Sequence, residues 1–267
     1  MSNVTVLPVL GNRRSVENAT GWLGQSKYDA LLLGLPQDLE NFVQSYARGE
    51  ASEDELWNSY QIMTGASRPL VNSLRSKFKP LLKYLSDKTS RQEIDIYCYD
   101  DLATHIQSGN LAEKVLLLSF RGRVCRDLDL EKWRRILLEE LRAMQSTWKE
   151  SVENLVEKVT VNIENMVLYE GLIGPLVKQL QKCVLSVKVA RVPTHWRSPL
   201  DALRTALWLR GESYLTDENI KTAVELHMKY LETVISSDDL DESERKWSDA
   251  VSFRNRRRRE SARFQAG

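Results

Sequence analysis

Short apolar runs that stop on glycine, proline or charge alternate along this chain with longer stretches in which apolar residues return every three or four positions. The first run, Val4-Thr5-Val6-Leu7-Pro8-Val9-Leu10, ends on Gly11 and leads into Asn12-Arg13-Arg14-Ser15. A short Val- and Leu-rich run bounded by glycine fits a parallel strand buried on both faces. Ser15 then predicts the cap of a helix over Val16 to Leu23. Tyr28 to Pro36 predicts a second parallel strand, closed by Gly34 and Pro36. From Gln37, the spacing of Leu39, Phe42, Val43 and Tyr46 predicts a helix that stops at Gly49. Ser52-Glu53-Asp54-Glu55 reads as a capping box in front of Leu56, Trp57, Tyr60 and Met63. Ser67 to Tyr84 predicts another helix, with Pro69 near its start and a kink or restart at Pro80.

A third strand is predicted over Glu93 to Tyr99, ending on Asp100-Asp101, with helical residues from Leu102 to Gln107. The run Lys114 to Phe120 reads as a fourth strand that ends on Arg121-Gly122-Arg123. The clearest periodic signal follows: Leu130, Trp133, Leu137, Leu141, Met144, Trp148, Val152, Leu155 and Val159 form one stripe between charged residues, one long amphipathic helix or two in tandem. The stripe predicts core or helical-arm packing, and its length suits pairing with a neighbour or second subunit. Val159 to Tyr169 fits either a strand or a continuation of that helix. Gly171 to Lys182 predicts a short helix and Cys183 to Arg191 a strand. Ser198 as N-cap and Pro199 as first helical residue open a helix with Leu200, Leu203, Leu207 and Trp208 inward. Thr216 caps a last long helix over Asp217 to Ile235.

This grammar predicts an α/β protein: a mainly parallel sheet flanked by helices, a long amphipathic helical insertion and a helical C-terminal region. The corresponding divisions are residues 1–126 (first half of the core), 127–170 (helical arm), 171–236 (core completion and packing helices) and 237–267 (charged helix and tail). At 267 residues and 42% hydrophobic content the chain can bury a sizeable core. Its 38 Lys and Arg balance 37 Asp and Glu, so any basic site is local and not a global nucleic-acid signature. The Arg256-Arg257-Arg258-Arg259 run is one such local site, a candidate nucleic-acid contact or a solvated face balanced by the acidic segment from Ser236 to Glu244. Cys98, Cys125 and Cys183 have no metal or disulfide spacing. No run reaches membrane-spanning length and no leader opens the chain, so the expected home is a reducing cytoplasm with no membrane contact.

The stretch Gly34-Leu35-Pro36-Gln37-Asp38 through Gly49-Glu50-Ala51-Ser52-Glu53-Asp54-Glu55-Leu56 resembles the TraB/ChaN/erythromycin-esterase-like superfamily, in which a second strand leads to a helix ending in Gly-x-x-Ser-x-x-Glu-Leu. The resemblance spans about the first half of the chain and the late strand near His195. It implies an α/β fold and an ancestral hydrolytic or metal-binding site built on a Gly-x-x-His after the first strand and an acid ending the second. Here Arg14 stands where that histidine would fall, and Leu33-Gly34-Leu35 carries no carboxylate before Asp38. Arginine stays protonated and neither ligates a metal nor acts as a general base.

Ligands of open parallel sheets bind outside the carboxyl ends of the strands. That edge is expected to collect Arg13, Arg14, Asp38, Asp100, Asp101, Arg121, Arg123, His195 and Arg197. Arginines converging there predict a phosphate or carboxylate pocket formed by Arg13, Arg14, Arg121, Arg123 and Arg197. The simpler alternative is loop arginines paired with nearby aspartates. His105, His195 and His227 are scattered, with no HExxH, paired cysteines, Gly-x-Ser-x-Gly elbow or glycine-rich phosphate loop, so neither a metal nor a cofactor is expected. The weak catalytic candidates are His195 and Asp38. The leading expectation is a non-catalytic or weakly catalytic protein that binds an anionic ligand, or a protein partner or second copy through residues 130–159. A divergent TraB-like hydrolase or metal-dependent peptidase, and a nucleic-acid-associated protein using the arginine tail, are the alternatives.

Overall fold

A computed structural model describes residues 2–89, 94–125, 128–192, 198–235 and 246–247. Five strands, β1 (Asn3–Pro8), β2 (Ala30–Pro36), β3 (Asp95–Asp100), β4 (Glu164–Tyr169) and β5 (Ser186–Val189), form one parallel sheet in the order β3-β2-β4-β1-β5. β2 is buried along nearly its whole length, the pattern of a strand with helices on both faces. Because all strands run the same way, their carboxyl ends share one edge.

Between the strands lie α1 (Arg13–Leu23), α2 (Glu40–Ala47), α3 (Glu53–Thr64), α4 (Arg68–Thr89), α5 (Leu102–Cys125), α6 (Leu130–Val159) and α7 (Ile173–Leu180). Alternate strand residues feed two cores. Leu7, Leu31, Leu33, Ile96 and Leu168 pack with Val16, Leu23, Val43, Trp57, Leu81 and Leu85 from α1 to α4. Val4, Val6, Leu32 and Val167 pack with Val152, Leu155 and Val159 of α6 and Leu176 and Leu180 of α7.

Two compact units divide the chain: residues 1–116 with 135–194, and residues 117–134 with 195–267. In the second, α8 (Pro199–Arg210) packs against α9 (Asp217–Ile235), burying Leu200, Leu203, Leu207, Ile220 and Val224. Its α8 begins as predicted, with the Ser198 hydroxyl accepting from Asp201 N–H at 3.1 Å and Pro199 next. The predicted charged C-terminal region lies outside the described residues, apart from Lys246 and Trp247.

One predicted strand is corrected. Lys114 to Phe120 lies in the middle of α5, a helix of 24 residues. Leu111, Val115 and Ser119 recur at four-residue spacing and are buried, whereas Leu116, Leu117 and Phe120 are exposed. A continuous apolar run cannot by itself separate the two periods. The ambiguous segment divides cleanly: α6 ends at Val159 and β4 begins at Glu164. Asn165 fixes that junction, its buried side-chain amide donating to the carbonyls of Val159 at 3.0 Å and Asn162 at 2.9 Å. Pro80 is carried inside α4 without ending it.

The helix after β1 also starts earlier than the serine suggested. Asn12 is its N-cap, accepting from Ser15 N–H at 2.9 Å, while the buried Ser15 hydroxyl reaches back to the Leu10 N–H at 2.8 Å. Two end groups are thereby satisfied reciprocally. The capping box at Ser52 and Glu55 forms in full, and Gly65 closes α3 in the left-handed conformation that glycine adopts without strain.

Candidate functional site at the carboxyl edge of the sheet

At the ends of β2 and β3, Asp100 closes its strand and His105 stands one turn into α5. The His105 Nε2 lies 3.4 Å from Asp100 Oδ2, and its Nδ1 lies 3.2 Å from the Tyr60 hydroxyl of α3. Burial pushes the Tyr60 phenol up to about 12, so the hydroxyl that meets Nδ1 keeps its proton. Asp101 serves locally, its carboxylate accepting from the N–H groups of Ala103 at 2.9 Å and Thr104 at 3.3 Å to start α5.

At the ends of β1 and β4 the residues are Gly11 and Glu170. Lys77 of α4, largely buried and with its ammonium 5.1 Å from the Phe78 ring centroid, donates a close hydrogen bond to Glu170 Oε2. The other carboxylate oxygen sits over Gly11, where a Cβ would lie 2.8 Å from Oε1. A side chain at position 11 would displace Glu170. Gly34 plays the same part beside Asp100: a Cβ there would lie 3.0 Å from the Tyr99 hydroxyl and 3.3 Å from Asp100 Oδ2.

The buried Tyr99 joins the two clusters. Its hydroxyl donates to the Leu168 carbonyl at 2.8 Å. Burial first, then the charges of Asp100, Tyr169 and Glu170, hold its phenol well above the usual range. Tyr169 is likewise raised to about 12 by burial, opposed by the Trp148 indole N–H that donates to it at 3.0 Å. The two clusters joined by Tyr99 therefore carry the carboxylates of Asp100 and Glu170, an imidazole, an ammonium and neutral phenols. Among the described residues no group of three or more His, Cys, Asp and Glu is placed to hold a metal ion.

The predicted arginines divide between this edge and elsewhere. Arg13 and Arg14 occupy the first turn of α1, directly after β1; Arg13 is exposed and Arg14 half-buried. Arg121 and Arg123 are exposed residues of α5 and end no strand, because the run before them is helical. The convergence expected of them rested on that strand. Asp38 is exposed in the short 3-10 turn after β2. His195, Arg197 and Arg256 to Arg259 lie outside the described residues. Sequence spacing does not single out Lys77, Tyr60 or Glu170 for this edge, and it offers His105 only as one of three scattered histidines. Glu170 was signalled by an apolar run ending in Glu-Gly, but that run sat in the ambiguous segment. Lys77 lies mid-helix, where nothing in the sequence marks it.

An open groove of about 500 Å³ is lined by Gln107 of α5 and Arg135, Leu138, Glu139, Arg142 and Ser146 of α6, none of them a residue of these clusters. Its chemistry is that of a solvated helix surface. The strand ends, where elements meet by topology, are the better-founded candidate site. No family model, curated protein or solved structure matches the chain.

Proposed function

We propose that this protein binds a small phosphate- or carboxylate-bearing ligand at the carboxyl edge of its sheet and has little or no catalytic activity. The observation that carries the reading is the first turn of α1. It holds Arg13 and Arg14 and no acidic residue, and among the described residues neither arginine is in an ion pair. Two cations at the positive end of a helix dipole repel it, and an anion relieves both terms. Lys77 holds the carboxylate of Glu170, whose other oxygen lies over Gly11, two residues before Arg13. The expected outcome in calorimetric titration with inorganic phosphate and nucleotides is salt-sensitive binding that Arg13→Ala with Arg14→Ala abolishes. Absence of binding at millimolar ligand sinks the proposal.

A second reading, a divergent hydrolase, draws on the Asp100, His105 and Tyr60 contacts. It requires turnover in an esterase and peptidase screen that His105→Ala removes while ligand affinity is retained.

A further inference from the structure

The outer face of α5 carries an apolar stripe that the described residues leave exposed. Leu116, Leu117, Phe120 and Val124 are 59%, 69%, 67% and 63% exposed, and Ile106 continues the row at 36%. At about 100° per residue Ile106, Leu117, Phe120 and Val124 lie opposite Leu111, Val115 and Ser119, which are buried, and Leu116 lies on the flank between the two faces. From Ile106 to Val124 the spacing 106, 110, 113, 117, 120, 124 is an alternation of four and three, the seam of a coiled coil, running about 27 Å at 1.5 Å per residue. Asn110 and Glu113 are the polar members of that seam. A helix apolar on both faces calls for cover on both.

We infer that a second copy of this chain covers the stripe, the two α5 helices packing antiparallel about a two-fold axis near Leu117. The charges favour this occupant. Glu113 precedes Leu117 by four residues and Arg121 follows it by four. In an antiparallel pair centred there, Glu113 of each copy lies opposite Arg121 of the other, so the surface is complementary to itself, as an isologous interface requires. Leu117 and Phe120 fill the centre, and Val124 closes each end.

Sedimentation equilibrium of the full chain tests this. The expected mass is twice the 30.8 kDa of one chain. Phe120→Asp gives a folded monomer, with unchanged far-ultraviolet circular dichroism because the side chain is exposed. Glu113→Arg weakens association by at least about tenfold, and adding Arg121→Glu in the same chain restores it. A wild-type monomer at 100 micromolar, which would leave the stripe to some other occupant, overturns the inference. So does a dimer indifferent to Phe120→Asp, or a double charge swap that fails to recover the association.

Discussion

Helices α5 and α6 are both long and both rich in leucine, yet they present their apolar residues in opposite ways. α6 gathers them on one stripe, and Trp133, Leu137, Leu141, Val152, Leu155 and Val159 are all buried within the chain. The stripe that the sequence offers as a partner surface is largely consumed by internal packing, with Met144 its most exposed member at 39%. α5 divides its apolar residues between a buried face and an exposed one. The difference teaches that periodicity reports a helix only when one face is apolar. Two apolar faces on one helix merge in the sequence into a continuous run, which reads as a strand.

The contrast between side chains hidden in the fold and those left outside is open to direct test. Leu155→Ala in α6 empties a fully buried site and is expected to cost about 2–5 kcal/mol in urea unfolding. A cost below about 1 kcal/mol would mean that α6 is not held against the sheet.

A hidden histidine gives the next largest effect. His227 of α9 is lowered to about 4, mainly by burial and then by the charge of Arg204, with Asp201 opposing. Its Nδ1 is buried and has no hydrogen-bond partner. The fold favours the neutral ring, so this contribution is fully present above pH 6.5 and is lost as pH falls toward 4, where the unfolded chain takes up the proton first. The loss amounts to roughly 3 kcal/mol over that window. His227→Phe should flatten this part of the stability profile, and an unchanged profile would contradict the assignment.

A local tie at the surface comes third. Ser52→Ala removes the cap of α3, whose hydroxyl accepts from Glu55 N–H at 3.2 Å, and is expected to lower stability by about 1 kcal/mol. Last is Leu117→Ala, the same truncation as at Leu155 but on the outer face of α5. Measured at dilutions where the chain is monomeric, it should change stability by less than about 0.5 kcal/mol. A larger loss would show that the outer face is packed within the chain, and the comparison between the helices would fail.

Much of the fold was legible because its signals are local. The end of β2 at Pro36, the capping box of α3, the Ser198 and Pro199 start of α8 and the full extent of α9 all follow from spacing and end chemistry. The candidate site was legible only in part. Arg13, Arg14 and Asp100 could be placed at strand ends because the strands before them were recognised. Glu170 was hidden where a long helix runs into β4, and Lys77 reaches it across a sequence separation of 93 residues. Arg121 and Arg123 were drawn into the site by a strand that is a helix.

Residue order alone determined that this chain alternates strands and helices around a parallel sheet, since hydrophobic period, caps and breakers act over one or two turns. Tertiary structure decided which apolar face of α5 goes inward, that the last turns of the α6 stripe, Val152, Leu155 and Val159, are spent on the sheet, and that Asp100, His105 and Tyr60 meet on one side while Lys77 and Glu170 meet on the other. Those choices depend on packing between elements distant in the chain. No local pattern encodes the order β3-β2-β4-β1-β5 that brings them together.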